Sequence, residues 1–224
     1  MALFAISDLH LSLGADKPMD IFGGGWENHE QKLKECWTQV VTPSDVVIVN
    51  GDISWATYLE NAKEDFAFIN SLPGQKIISK GNHDYWWSTV SKQKKFCSEN
   101  GFDTIDFLHN NYFMYEDTAI CGTKGWQLST NDSEDMKLYN REKERLELSL
   151  RSALKSNPKR IVVALHYPPD GEFISILKKN GVQICVYGHL HGRAQKNAVN
   201  GTTKGIKFSL VSCDFLKFNP LKIL

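Results

Sequence analysis

Five short apolar runs, rich in β-branched residues, occur along the chain at positions 3–6, 46–49, 77–78, 161–165 and 184–187. Runs of this kind are typical of buried β-strands. Segments with apolar residues on one helical face lie between several of them, at 33–41, 59–69 and 146–154. Strands that alternate with helices predict an α/β fold built in layers.

Three stretches add to this picture. Residues 104–122 indicate a hairpin that turns near Glu116 and Asp117, and residues 194–212 indicate further strands around Asn200 and Gly201. The sheets are therefore expected to be mixed rather than purely parallel. The charged run 141–147 has side chains at the four-residue spacing of helix neighbours, which predicts the solvated face of a helix.

Length and composition favour one large core. A chain of 224 residues with 42% hydrophobic content falls in the range of a single domain, so residues 1–224 are predicted to fold as one. The 26 basic residues equal the 26 acidic ones. No sequence-wide positive field is therefore available to attract nucleic acid or an anionic membrane, although a local basic groove stays open.

The compartment is predicted from three features. The amino-terminal residues 1–6 are apolar but carry no basic leader, so they are expected to form a core strand and not a signal peptide. No stretch approaches the roughly 20 apolar residues that cross a bilayer. Five widely spaced cysteines without a Cys-x-x-Cys pair indicate reduced thiols. We expect a soluble cytoplasmic protein.

Each of the five predicted strands is followed directly by side chains that can bind metals or move protons. These are Asp8 and His10 after the first strand, Asp52 after the second, Asn82 and His83 after the third, His166 after the fourth, and His189 and His191 after the fifth. Ligands of open α/β sheets gather beyond the carboxyl ends of the strands. The sequence therefore predicts that these residues converge on one crevice.

Each motif is weak alone, but the ordered set is specific because glycines stand where the backbone must turn tightly. The pattern resembles that of the calcineurin-like metallophosphoesterase superfamily. Its five blocks here are Asp8-Leu-His10, Gly51-Asp52, Gly81-Asn82-His83-Asp84, His166 and Gly188-His189-Leu-His191, in family order and across most of the chain.

The resemblance implies a sandwich of two mixed β-sheets flanked by helices, with a dinuclear metal centre at one edge. It also implies a ligand set in which Asp8, His10 and His191 hold one ion, Asn82, His166 and His189 hold the other, and Asp52 bridges them. Similar sites cleave phosphomonoesters, phosphodiesters, cyclic nucleotides, nucleotide pyrophosphates and nucleic acids, so the substrate stays open.

The donor types support metal chemistry independently of that resemblance. Carboxylate oxygens and imidazole nitrogens with one amide and no thiolate suit Mn²⁺, Fe²⁺ or Fe³⁺, Zn²⁺ or Mg²⁺. Two cations about 3.5 to 4 Å apart can acidify a shared water to hydroxide and stabilise both the attacking and leaving oxygens at phosphorus. We expect hydrolysis of a small phosphoester, possibly a nucleotide.

His83 and Asp84 are predicted to be catalytic residues rather than ligands. They resemble the family's Asn-His-Asp element, in which the imidazole stabilises phosphoryl oxygens or protonates the leaving oxygen. The alternative is that His83 is only a turn residue.

Other residues are given no catalytic role. Trp26, Trp86, Trp87 and Trp126 are expected to cover the core or rim, although a role in stacking a flat leaving group stays open. Gly23-Gly24-Gly25 lacks the spacing of a phosphate-binding loop and is expected to be a flexible loop near the site. Lys124, His29 and Arg193 are expected to be solvated.

Two alternatives to a small-molecule phosphohydrolase are kept. A nuclease is disfavoured by the balanced charge but not excluded. A non-catalytic scaffold of the same fold would be expected to lack ligands, and no block is missing here.

Overall fold

The computed structural model describes residues 1–23, 25–130 and 132–224. Gly24, in the glycine run predicted to be a loop, lies outside the described residues. Two β-sheets of five and six strands pack with helices at their outer faces, which confirms the predicted α/β sandwich of mixed sheets. No helix among the described residues combines the length and apolar character that a bilayer crossing requires.

The first sheet has the order β11-β1-β2-β3-β4. Its strands are β1 (Leu3–Ile6), β2 (Val46–Asn50), β3 (Gln75–Ser79), β4 (Ile105–Phe107) and β11 (Leu221–Lys222). Strands β1 to β4 are parallel, and β11 runs antiparallel to β1.

The second sheet has the order β5-β6-β7-β8-β10-β9. Its strands are β5 (Tyr112–Tyr115), β6 (Thr118–Thr123), β7 (Arg160–Leu165), β8 (Ile184–Tyr187), β9 (Gly201–Thr203) and β10 (Ile206–Leu210). The four central strands are parallel, and the two edge strands β5 and β9 are antiparallel.

Five α-helices in the described part of the chain cover the sheets. They are α1 (His29–Val40), α2 (Lys63–Ser71), α3 (Val90–Asn100), α4 (Ser133–Leu154) and α5 (Gly171–Lys179). The first three pack on one sheet and the last two on the other. Helices α3 and α5 were not predicted from the apolar pattern, whereas the other three fall on predicted helical segments. Short 3₁₀ helices span Met19–Phe22, Leu59–Ala62 and Gly192–Asn197.

The strand residues divide between the two faces of each sheet. In β1, Phe4 and Ile6 pack toward the helices, while Leu3 and Ala5 pack into the cluster between the sheets. This follows from the two-residue period of a strand. Because both faces are buried, β1, β2, β7 and β8 are largely continuous apolar runs without alternation.

The predicted hairpin needs correction, whereas the second stretch contains the further strands that were predicted, β9 and β10. Only residues 112–123 form the first hairpin, with its turn at Glu116 and Asp117, whereas β4 pairs with β3 in the other sheet. Ile105 and Phe107 are buried among residues packed on the first sheet, which draws β4 away from the hairpin. In this second stretch β9 and β10 are joined by a turn at Lys204 and Gly205, both with positive φ, and only residues 192–197 are helical instead.

The prediction that residues 141–147 are a solvated face is wrong for Glu142. This side chain is fully buried and accepts hydrogen bonds from Thr123 Oγ1 at 2.5 Å and Arg145 Nη1 at 2.7 Å. The reason is helical phase: Glu142 shares the inward face of α4 with Tyr139 and Leu146.

Close packing between β6 and β7 generates a prediction about stability. A Cβ atom at Gly122 would overlap the carbonyl oxygen of Ala164 in the neighbouring strand and crowd Leu108. Overpacking of this kind costs about 1–3 kcal/mol. Gly122→Ala should therefore lower the free energy of unfolding by about that amount, measured by urea denaturation.

The matched control is Gly171→Ala, at the first position of α5, where an added Cβ would meet open space. Alanine is favoured over glycine in helices, so this variant should be unchanged or more stable by up to about 1 kcal/mol. Equal unfolding curves for Gly122→Ala and the parent protein would contradict the prediction.

Candidate metal centre

The predicted ligand residues lie together at one edge of the molecule, beyond the carboxyl ends of parallel strands from both sheets. The first sheet supplies Asp8 and His10 after β1, Asp52 after β2 and Asn82 after β3, and the second supplies His166 after β7 and His189 and His191 after β8. A continuous series of short contacts connects all seven side chains.

Asp8, His10 and His191 form the first group of donors. His191 Nε2 lies 3.2 Å from Asp8 Oδ1 and 3.4 Å from His10 Nε2. Asp8 is fully buried and His10 nearly so. Two ring nitrogens and a carboxylate oxygen therefore face one small volume.

Asp52, His166 and His189 form the second group, with Asn82 beside them. Asn82 Oδ1 lies 2.8 Å from His166 Nε2 and 2.9 Å from His189 Nδ1. His166 Nε2 is also 3.3 Å from Asp52 Oδ2. This group again combines oxygen and nitrogen donors.

Asp52 lies between the two groups. Its Oδ2 atom is 3.3 Å from His166 Nε2 in the second group and 4.0 Å from His10 Nε2 in the first. Its Oδ1 atom accepts a hydrogen bond of 2.8 Å from the His83 backbone N–H. One carboxylate is therefore fixed by the loop after β3 while its other oxygen faces both donor groups.

The backbone at the strand ends adopts unusual conformations. Asp8, His10, Asp52 and His189 have φ values of 59°, 47°, 51° and 71°. This left-handed region is uncommon for residues other than glycine, and such strain clusters at functional sites. At Gly188, which has an ordinary φ, a Cβ atom would overlap the Asp8 carboxylate, so this position requires glycine for its small size.

Asp84 joins the loops that carry Asp52 and Asn82. Its fully buried carboxylate accepts backbone N–H bonds from Asp52 at 2.9 Å, Ile53 at 2.8 Å and Gly81 at 2.7 Å. Burial and the Asp52 charge raise the pKa of Asp84 to about 6, so the carboxylate is mainly ionised at neutral pH.

The structure separates the side chains of His83 and Asp84, which the sequence groups as a catalytic pair. Asp84 accepts from buried backbone groups and from the Trp86 indole at 3.0 Å. The Nδ1 atom of His83 is buried without a hydrogen-bond partner among the described residues, and the ring centroid lies 4.6 Å from that of Trp55. Asp84 therefore does not orient the His83 ring by direct contact.

Two residues missed by sequence reasoning contact the rings of predicted ligands. Asp214 Oδ1 lies 3.0 Å from His191 Nδ1, and the Asn50 carbonyl oxygen lies 3.1 Å from His166 Nδ1. A partner on one ring nitrogen fixes the ring so that the other can face a metal. Asn50 directly precedes Gly51 and could have been suspected, whereas Asp214 follows β10 with no local motif.

The carboxylates of the site strongly raise the pKa values of two of its imidazoles. Burial opposes charge on His166, but the Asp52 and Asp8 carboxylates outweigh it and raise the pKa of His166 to about 9. Burial also opposes charge on His191, yet its hydrogen bonds to Asp214 and Asp8 raise its pKa to about 10. Protons on these rings balance buried negative charge, a role that a bound cation would take over.

The pKa values of His10 and His189 are lowered instead of raised. Burial lowers the pKa of each imidazole to about 4, so both rings are neutral at physiological pH. A neutral imidazole has a free lone pair and is the form that binds metals. The donor sets therefore fit two divalent cations of the Mn, Fe, Zn or Mg type, with oxygen and nitrogen ligands and no thiolate.

The other tryptophan, histidine and basic residues considered in the sequence lie in different parts of the structure. Trp86 is buried in the core and Trp87 packs against it, whereas Trp26 lies near His10 and His191. Trp126 lies under the Lys124 ammonium group, whose nitrogen is 4.2 Å from the ring centroid. The prediction that His29 is solvated is wrong, because it is buried against Trp26 and Phe218, while Arg193 is exposed.

Several solved structures share this fold. Phosphopantetheinyl hydrolase from Mycobacterium tuberculosis superposes with a TM-score of 0.59 at 14% identity, covering 100% of this chain and 95% of that one. A protein of unknown function from Aquifex aeolicus, AQ665, gives 0.53 at 17% identity, with 99% and 95% covered. The protein TT1561 of Thermus thermophilus gives 0.55 at 10%, with 92% and 86% covered. At these identities the likeness shows a common fold alone.

Comparison of the sequence with known proteins identifies the family of the chain. No curated protein matches the chain significantly. The profile of the calcineurin-like phosphoesterases matches residues 1–193, which contain every strand-end block from Asp8 to His191. The chain therefore belongs to the calcineurin-like phosphoesterase family.

Proposed function

We propose that the protein is a phosphohydrolase that uses two divalent metal ions to cleave a phosphomonoester or phosphodiester. The observation that carries this proposal is that Asp52 Oδ2, within the second donor group, lies 3.3 Å from His166 Nε2 and also 4.0 Å from His10 Nε2 of the first group. When bound, such ions acidify a shared water and stabilise developing charge on phosphoryl oxygens.

The residues of the chain have distinct roles in this proposal. Asp8, His10 and His191 would hold one ion, Asn82, His166 and His189 would hold the other, and Asp52 would contribute its carboxylate to both. Asp84 is reassigned as a positioning residue, because its carboxylate is buried against backbone N–H groups. His83 is proposed as the catalytic residue, acting on the phosphoryl group or on the leaving oxygen.

Two broader expectations accompany this function. We take residues 1–224 as one domain, because a buried cluster contains side chains from both sheets, such as Ile48 and Val162. We place the protein in the cytoplasm, because its five cysteines are free, as expected of a reducing compartment. The balanced charge favours a small phosphoester over nucleic acid.

Metal dependence is the first test. Exhaustive chelation should abolish hydrolysis of p-nitrophenyl phosphate and bis-p-nitrophenyl phosphate, and Mn²⁺ should restore it. The measurement is turnover together with elemental analysis of the same samples. Full activity in demonstrably metal-free protein would remove the proposal.

Asp52 provides a second test, because its Oδ2 atom lies near a histidine ring of each donor group. Asp52→Ala should lower the content of both ions, whereas Asp8→Ala should mainly affect one. Asp65→Asn is a matched control, since Asp65 is a fully buried carboxylate outside the donor groups. Normal occupancy of both ions in Asp52→Ala, by elemental analysis, would exclude the bridging role.

His83 provides a third test, because its loss leaves all seven proposed ligands in place. His83→Ala should retain normal metal content and lose about 100- to 10,000-fold in turnover of an alkyl phosphate. A smaller loss on p-nitrophenyl phosphate would indicate protonation of the leaving oxygen, and equal losses would indicate stabilisation of phosphoryl oxygens.

The control for this variant is His109→Ala, which removes a histidine outside the donor groups. We expect it to keep both metal content and turnover. Parent-like turnover of both esters by His83→Ala would reduce His83 to a turn residue.

A further inference from the structure

A cavity of about 390 Å³ lies beside the first donor group. The ligand rings of His10 and His191 form part of its wall, and Met19, Trp26 and Trp55 form most of the apolar remainder. The wall of the cavity is therefore mainly apolar and aromatic, next to a site suited to a strongly charged phosphoryl group. A substrate that fills both must have an anionic end and an apolar end.

The aromatic walls are held in place by their own contacts. Trp55 stacks on His10 at a centroid distance of 4.9 Å and an interplanar angle of 22°, and its indole N–H points to Met19 Sδ at 3.2 Å. Trp26 packs edge-on against Phe218 at 5.6 Å. The cavity is thus largely preformed, so a ligand ring would enter it without ordering flexible side chains.

The position of His83 indicates which part of a substrate the cavity would receive. Its ring lines the cavity, and its centroid is 4.6 Å from that of Trp55. If His83 protonates the leaving oxygen, the alcohol attached to that oxygen departs along the His83 side of the site. The alcohol would then enter the cavity that Trp26 and Trp55 line.

The charges around the cavity restrict the leaving group further. No lysine or arginine is found among the described residues that line it, and the acidic residue Asp214 is engaged with His191 and with Gln195 Nε2 at 2.7 Å. The ammonium of Lys17 lies 4.8 Å from the Trp55 ring centroid but outside the lining. An anionic leaving group would find no lysine or arginine among the described lining residues to offset its desolvation.

We propose that this cavity binds the leaving group, and that the substrate is the phosphoester of an uncharged alcohol or phenol carrying a flat ring. The inference rests on the proposed phosphohydrolase function. Binding pockets for small molecules range over about 300–1,000 Å³, so this cavity fits one ring system rather than an extended polymer. The aromatic side chains of the wall would make favourable contacts with the ring of the leaving group, in addition to the gain from burying its apolar surface.

The test measures binding rather than turnover. Phenylphosphonate and methylphosphonate share the phosphoryl end and differ in the ring, so the ratio of their dissociation constants isolates the cavity. In Mn²⁺-loaded protein, calorimetry should show phenylphosphonate binding about tenfold tighter or more, from burial of the ring. Phosphonoacetate, with an anionic extension, should bind more weakly than phenylphosphonate.

Variants locate the effect. Trp26→Ala removes one wall and should reduce the phenyl-to-methyl preference severalfold toward unity, and Met19→Ala gives a second, milder change if Trp26→Ala folds poorly. Tyr85→Ala is the control, because Tyr85 is exposed beside His83 and does not line the cavity. In Tyr85→Ala the ratio of the dissociation constants of methylphosphonate and phenylphosphonate should equal that of the parent protein.

The outcomes separate the two proposals. Equal affinities for phenylphosphonate and methylphosphonate in the parent protein overturn the inference, as does an unchanged ratio in Trp26→Ala and Met19→Ala. Tighter binding of phosphonoacetate than of phenylphosphonate overturns it as well. Retained phenyl selectivity without hydrolysis of phenyl phosphate, p-nitrophenyl phosphate or bis-p-nitrophenyl phosphate would support the cavity as a ring-binding site and reject the phosphohydrolase function.

Discussion

Burial of both faces of both sheets is the constraint on which the rest of this structure depends. Helices cover the outer faces, and residues such as Ala5 and Ala164 fill the interface between the sheets. Polar groups are costly at either place unless they are paired. The carboxyl ends of the parallel strands therefore provide the edge where charged side chains, tight turns and bound ions can be accommodated.

The same constraint explains how much could be predicted from the sequence. A strand buried on both faces is a short apolar run, so the residue at which it ends is visible, and the donor types after it can be noted. Asp214 and Trp55 were missed because they reach the centre through tertiary packing. The sheet to which β4 belongs and the inward phase of Glu142 also depend on partners far away in the sequence.

The donor side chains could be named from sequence, but their electrostatic state could not. Whether an imidazole is neutral or protonated depends on distances to carboxylates that no motif encodes. His10 and His166 follow strands in similar ways, yet burial lowers the pKa of the first and nearby carboxylates raise that of the second. The centre thus combines neutral imidazoles, the form that binds metals, with imidazoles whose raised pKa favours a proton that compensates buried carboxylate charge.

Each donor group draws side chains from both sheets: His10 and His191 face each other from opposite layers, as do Asp52 and His166. A cation bound by either pair would therefore cross-link the two β-sheets. Because ions that bind only the folded state stabilise it by mass action, bound metal would raise the free energy of unfolding of the two-layer fold.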